Sequence, residues 1–260
     1  ELTLTENAQP ALMAVSMAVV RVIELDGGRA IPEIAAFVAG HSLGEYSALA
    51  AVGAMSLKQT ACLLKERGRA MQKAVPVGKG AMAALLGIDI DDADEIAAEA
   101  AGDGVCSAAN DNAPGQVVIS GDVPAVERAI ELAKARGAKR AMILPVSAPF
   151  HCSLMEPAAR AMEAALADAT ISKPSLPVVS NITARATEDP EEIRRLLVEQ
   201  VTGTVRWRES VLHLGAQGVD KLLEVGAGKV LCGLAKRIDR SLDTRSIGTP
   251  DEIEAFLKSL

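Results

Sequence analysis

Thiols are scarce in this chain, and none is arranged for chemistry. Cys62, Cys106, Cys152 and Cys232 form no C-x-x-C pair, so neither a zinc site nor a thioredoxin-type motif is indicated. Reduced thiols of a cytosolic protein are the plain reading. Positive charge is not in excess either. Lys and Arg number 27 against 34 Asp and Glu, a net charge of −7, which argues against a nucleic-acid binder with a wholly basic surface. Long apolar runs are also missing. The longest near the start, residues 11–23, is interrupted by Ser16 and Arg21 and is too short and too polar for a bilayer span. It carries no basic leader and no cleavage site, so it does not read as a signal peptide. A cytoplasmic monomer that engages no membrane and no nucleic acid, and needs no metal or cofactor, is expected.

What is present suits a globular enzyme. Apolar residues make up 49% of 260 and charged residues 23%, enough for a sizeable core in one large domain or a domain with an insertion. A helix is expected over residues 7–25 with Pro10 in its first turn. A strand over 34–39 then runs into Gly40-His41-Ser42-Leu43-Gly44, with helices over 45–52 and 57–75. Such alternation predicts a mostly parallel sheet with flanking helices. After Pro76-Val77-Gly78-Lys79-Gly80 the pattern changes. Strands are expected over 81–87, 105–109, 116–120 and 139–146, helices over 91–101 and 123–136, and a loop over 110–115. That β-α-β-β-α-β order is ferredoxin-like. The expected organisation is therefore an α/β hydrolase-like main domain over 1–77 and 148–260, with a ferredoxin-like subdomain over 78–147. The main domain resumes with helices over 154–169, 190–201, 206–217 and 230–238 and strands over 177–181 and 221–225.

Gly40-His41-Ser42-Leu43-Gly44 fits G-x-S-x-G, the nucleophile elbow. A sharp strand-to-helix turn lifts the serine into the open, and the flanking glycines avoid collisions. The helix N-terminus favours negative charge beside Ser42, and the Leu43 N–H is placed to bind an oxyanion. A serine nucleophile needs a base, and three histidines exist: His41, His151 and His213. His41 adjoins Ser42 on a strand and points to the opposite face. His213 lies on the polar side of its helix near Glu209. His151, on a loop between strand and helix, remains. No acid stands out as a third member, and a backbone carbonyl could orient the imidazole instead. On the 57–75 helix, Thr60, Leu64, Arg67 and Met71 form one apolar stripe, which puts Arg67 on the buried side. A buried guanidinium needs an anion: either Glu45, or a substrate carboxylate held in a bidentate clamp. Gly226-Ala227-Gly228-Lys229 lacks the spacing of a phosphate loop and reads as a plain strand-to-helix turn.

Several motifs in order resemble bacterial malonyl-CoA:acyl-carrier-protein transacylases of fatty-acid synthesis. They are Gly40-His-Ser-Leu-Gly-Glu-Tyr-Ser, Arg67-Gly68, Asn112-Ala-Pro-Gly-Gln-Val-Val-Ile-Ser-Gly, Ala148-Pro-Phe-His-Cys-Ser-Leu-Met, Val205-Arg-Trp and Glu224-Val-Gly-Ala-Gly-Lys-Val-Leu. The resemblance runs from near Asn7 to past Ile238. It implies the hydrolase-like domain with a ferredoxin-like insertion. It implies Ser42 as the acylated nucleophile, His151 as base, the Gln200 carbonyl orienting His151, and Arg67 as the malonate clamp. Asn112 is implied near the site, and Phe150 as a residue that a branched acyl chain would not tolerate. The implied substrates are malonyl-CoA and acyl carrier protein, without a cofactor. The family opens with a strand and a Gly-Gln-Gly-rich loop that supplies a second oxyanion N–H. Neither is found here, so about 50 further residues are expected ahead of Glu1.

Acyl carrier proteins are acidic, so a local basic surface is expected, with Arg185, Arg194, Arg195 and Lys236 as contributors. Rival readings are a plain serine hydrolase, the same transfer in a polyketide or malonate pathway, and a binding module that kept the fold without the chemistry.

Overall fold

The computed structural model describes residue 2 and residues 4–259. The first half runs α1 (Thr5–Asp26), α2 (Ile31–Ile34), β1 (Val38–Ala39), α3 (Leu43–Ala51), α4 (Leu57–Ala74), β2 (Gly80–Leu86), α5 (Ile90–Ala101), β3 (Cys106–Ala113), β4 (Gln116–Asp122), α6 (Val123–Ala135) and β5 (Arg140–Ile143). A 3₁₀ turn (Ser153–Met155) leads into α7 (Glu156–Ala167), β6 (Val178–Val179), β7 (Ala186–Thr187), α8 (Pro190–Glu199), α9 (Trp207–Ala216), β8 (Lys221–Val225), α10 (Val230–Ile238), β9 (Asp243–Ile247) and α11 (Pro250–Leu257).

Helices α1 and α4 form the floor beneath the site. α4 starts where the Ser56 hydroxyl accepts from the Gln59 N–H, satisfying one of the free first-turn donors. Its stripe of Thr60, Leu64, Arg67 and Met71 is buried, as its spacing predicts. Met13 and Val20 of α1 join the same core as Leu63, Leu64 and Met71. The two helices cross tightly at Gly68, where a Cβ would stand 2.5 Å from Glu6 Cα and 2.7 Å from the Thr5 carbonyl oxygen. α1 is longer than the run read from the sequence. Among the described residues it is the one helix long and apolar enough to cross a membrane by length and composition; Met13 and Val20 face this core, and Val19 and Ile23 pack with Ile247 of β9.

Above the floor, β1 pairs parallel with β6 (Val38↔Val178), and β6 pairs antiparallel with β7. β8 and β9 form a separate parallel pair. The expected strand over 34–39 shortens to β1, because Pro32 sits in the first turn of α2 and the Glu33 carboxylate accepts from the Ala30 N–H at 2.9 Å. β9 and α11 were not read from the sequence. α11 is fixed by a capping box in which Thr249 and Glu252 exchange hydrogen bonds.

Residues 80–143 form a four-stranded antiparallel sheet in the order β3-β4-β2-β5. α5 and α6 cover one face, around a core of alanines with Leu85, Ile88, Ile96, Val117, Ile119, Val126 and Ile130. This is the ferredoxin-like arrangement. The loop expected over 110–115 is a correction: β3 continues to Ala113, leaving a tight turn before β4. Its polar run is strand because tertiary partners satisfy it. Asn110 pairs with Val205 in a parallel bridge, and the Asp111 carboxylate accepts from Arg208 Nε at 2.9 Å.

Candidate active site

The elbow is built by a close approach. A Cβ on Gly40 would lie 2.0 Å from the Gly44 backbone, so only glycine lets the end of β1 meet the first turn of α3. Ser42 sits between them at φ 52°, ψ −110°, a conformation that costs about 1–3 kcal/mol and persists where surrounding contacts impose it. Asn181, just after β6, is one such contact. Its Oδ1 accepts from the Ser42 N–H at 2.7 Å, and its Nδ2 donates to the Gly40 carbonyl at 2.8 Å. The Ser42 N–H is thereby used. In the first turn of α3, Gly44 and Glu45 N–H bond the His41 and Ser42 carbonyls. The Leu43 N–H has no partner among the described residues, as a first-turn donor can.

Ser42 Oγ lies 2.9 Å from His151 Nε2, and His151 Nδ1 lies 2.8 Å from the Gln200 carbonyl oxygen. A carbonyl only accepts, so Nδ1 carries the proton and Nε2 presents its lone pair to the serine hydroxyl. Burial, then the positive charge of Arg67, lowers the His151 pKa to about 3. The imidazole is therefore neutral, the form that takes a proton. The expected dyad and its backbone orienter are brought together as read.

Arg67 is 1% exposed. Its Nη2 donates to Ser42 Oγ at 3.0 Å and to Gln200 Oε1 at 2.9 Å, and its Nη1 donates to Gln9 Oε1 at 2.8 Å. Its plane lies near the Tyr46 ring, with Cζ 5.7 Å from the centroid. The alternative of a Glu45 ion pair is not what the structure contains. Among the described residues Arg67 makes no salt bridge within 4.0 Å, and Glu45 Oε2 accepts from Gln200 Nε2 at 2.7 Å and Asn181 N–H at 3.1 Å. Burial raises the Glu45 pKa to about 7, against the opposing hydrogen bonds and the field of Arg67.

The remaining expected residues stand further back. His41, in the turn after β1, is engaged elsewhere than by Ser42. Its Nε2 lies 2.9 Å from Asn112 Oδ1, and its ring meets Trp207 at 5.7 Å. Asn112 thus reaches the elbow through His41. Phe150 packs on the main core and on the underside of the four-stranded sheet. His213 meets Arg185 at 3.2 Å. The turn at Gly226 offers no anion site, because the Glu224 carboxylate accepts from the Leu231 and Cys232 N–H groups that open α10. Arg194 is spent on the end of α7, donating to the Leu166 and Ala169 carbonyls.

Gln9, Asn181 and the side chain of Gln200 were not read from the sequence. Gln9 left a usable signal. It falls four residues before Met13 on the buried side of α1, the same misplaced-polar pattern that exposed Arg67. Asn181 left none, since an asparagine ending a short strand is ordinary.

Fold and site together define an α/β acyltransferase with a serine at its strand-to-helix elbow. The chain belongs to the malonyl CoA-acyl carrier protein transacylases, within the acyl transferase domain family whose model matches residues 1–245. It is 45% identical over 261 residues to the malonyl CoA-acyl carrier protein transacylase of Bacillus subtilis, covering 100% of this chain and 81% of that protein. The Escherichia coli K12 protein of that name is 46% identical, covering 99% and 82%. The crystal structure of acyl-carrier-protein-S-malonyltransferase from Bartonella henselae superposes with a TM-score of 0.96 at 55% identity, covering 99% of this chain and 82% of that one.

Proposed function

We propose that this protein moves a malonyl group from coenzyme A to the phosphopantetheine thiol of acyl carrier protein, through a malonyl ester on Ser42, and so supplies fatty-acid synthesis. The observation that carries this reading is the buried Arg67 guanidinium 3.0 Å from Ser42 Oγ with no ion pair among the described residues. A cation so placed holds a carboxylate beside the nucleophile. Malonyl thioesters bring one; acetyl thioesters do not.

Ser42 Oγ attacks the thioester carbonyl as its proton passes to His151 Nε2. The Leu43 N–H binds the oxyanion, and the α3 N-terminus favours the charge. The C–S bond breaks, and His151 returns the proton to the departing coenzyme A thiolate. The carrier thiol then gives its proton to His151 and attacks the ester carbonyl. Ser42 leaves and regains the proton. The Gln200 carbonyl holds the imidazole in the required tautomer through both halves. Phe150, beside the base, limits acyl bulk, and Asn112 steadies the elbow through His41. The chemistry asks for no metal or redox cofactor. The same reading has a cytoplasmic monomer that acts without membrane or nucleic acid. In it, residues 1–77 and 148–260 form the catalytic domain and 78–147 a subdomain. A plain serine hydrolase would give no reason for Arg67 to be buried beside Ser42.

Arg67→Ala tests this directly, with malonyl-CoA and acetyl-CoA as donors and carrier protein as acceptor. Wild type is expected to prefer malonyl, and the variant to lose about 100-fold or more in malonyl kcat/KM, as for a desolvated charge pair, with the preference erased. No transfer by wild type, or an unchanged preference in the variant, would remove the carboxylate-clamp reading.

A further inference from the structure

The groups that hold Arg67 are amides. Gln9 Oε1 takes Nη1 at 2.8 Å from the α1 side, and Gln200 Oε1 takes Nη2 at 2.9 Å from the end of α8. A guanidinium only donates, so both amides must turn their oxygens toward it. Gln9 is locked in that orientation, because its Nε2 donates to Thr5 Oγ1 at 2.9 Å and to Met71 Sδ. Gln200 is locked by its Nε2, which donates to Glu45 at 2.7 Å. Gln200 therefore stands between the nearest acid and the cation. Arg67 Nε is buried and has no hydrogen-bond partner among the described residues.

Glutamates at either position would offer Arg67 the same acceptor oxygen. They would also cancel the charge. Two neutral acceptors do the first without the second, and a buried cation without a counter-ion is left in an unfavourable state that an arriving anion relieves. We propose that Gln9 and Gln200 are positioning residues that set acyl specificity: their side-chain oxygens fix Arg67 without neutralising it, so that the substrate carboxylate is its counter-ion. The inference rests on the malonyl-transfer reading above. Glu45 does not undo it, since burial keeps that carboxyl partly protonated near neutrality and its oxygen is engaged by Gln200 and Asn181.

Gln9→Glu is the test, because it keeps the shape and the acceptor to Arg67 and adds a charge, at the loss of the Nε2 bonds to Thr5 and Met71. Malonyl kcat/KM is expected to fall about 100-fold, chiefly through KM, with a much smaller fall for acetyl-CoA. Lowering the pH should restore malonyl transfer as the introduced carboxylate is protonated. The ionisable groups facing the site are Arg67, Tyr46, Glu45, His41 and His151. His151 stays neutral down to about pH 3, and the titration of Glu45 near 7 is common to both proteins, so the recovery is read as a rise, on acidification, in the ratio of variant to wild-type malonyl transfer. A structural role for Gln9 would instead lower both donors alike, without recovery in acid.

Gln9→Met, which removes the acceptor without adding charge, covers the case in which Gln9→Glu does not fold, as read by its thermal unfolding midpoint. It should raise malonyl KM about 10-fold at every pH and leave acetyl KM less affected. Retention of the malonyl preference within about threefold in either folded variant, or equal loss on both donors, overturns the inference. Absence of malonyl transfer by wild type would instead overturn the proposed function, so the two failures are distinguishable.

Discussion

The chain folds two cores of opposite character. The core between α5, α6 and the four-stranded sheet is apolar throughout, largely alanine with a few branched residues. The core of the catalytic half is threaded by polar groups that are almost wholly buried: Gln9, Glu45, Arg67, His151, Asn181 and Gln200. In the first, shape and area do the stabilising. In the second, each polar group is stabilised only by its neighbours. The contrast teaches that this protein separates the region that holds shape from the region that holds charge. The seam between them carries polar pairs, Asp111 on Arg208 and Asn112 on His41, beside the apolar contact of Phe150 with the sheet.

The sharpest way to break the comparison is in the apolar half. Ile119→Ala, at a fully buried position of β4, should cost about 3–4 kcal/mol in urea denaturation through lost transfer energy and cavity. Acylation of Ser42 per folded molecule should stay as in wild type. A loss of acylation that outruns the loss of folded protein would show the two cores to be coupled.

The polar half should announce itself by pH. The Glu45 pKa is raised from 4.5 to about 7, so the native state binds the extra proton and stability falls as pH rises between those values. The His151 pKa is lowered from 6.5 to about 3, so the unfolded state binds the extra proton and stability rises across that window. The two oppose each other from pH 4.5 to 6.5. Glu45→Gln removes one side. Its stability should climb with pH there by up to about 1 kcal/mol per unit relative to wild type, reaching about 3 kcal/mol near pH 7. Parallel curves for the two proteins would mean that Glu45 is not held neutral by burial.

The smallest effect is expected on the surface. Lys236, exposed on α10, remains available for an acidic carrier protein, and Lys236→Glu should raise the carrier KM about threefold. Arg194→Glu should act differently, lowering stability because Arg194 closes the end of α7. An unchanged carrier KM in Lys236→Glu would take that residue off the docking surface.

Much of the site was legible in one dimension. The elbow motif, the elimination that left His151, and the stripe that buried Arg67 each rest on local spacing, and each holds in three dimensions. Local spacing failed where the deciding partner is remote in sequence. Residues 110–113 read as loop because they are polar, yet Val205, Arg208 and His41 make them strand. The strand expected from 34 gave way to α2, a first-turn proline effect visible in the sequence but outweighed by the apolar run. Glu45 was weighed as the partner of Arg67, and the partners are the amides of Gln9 and Gln200.

By itself, then, the sequence determined the two-part α/β organisation, the serine of the elbow, the histidine that meets it and the presence of a buried cation. These follow from periodicity and turn chemistry acting over a few residues. Only the tertiary structure decided what surrounds that cation. Gln9, Ser42, Arg67 and Gln200 come from α1, the elbow, α4 and the end of α8, and no short-range pattern records which of a buried guanidinium's five donors meets which distant oxygen. Charge compensation is a property of the assembled interior, where low polarity makes the nearest few ångströms decisive.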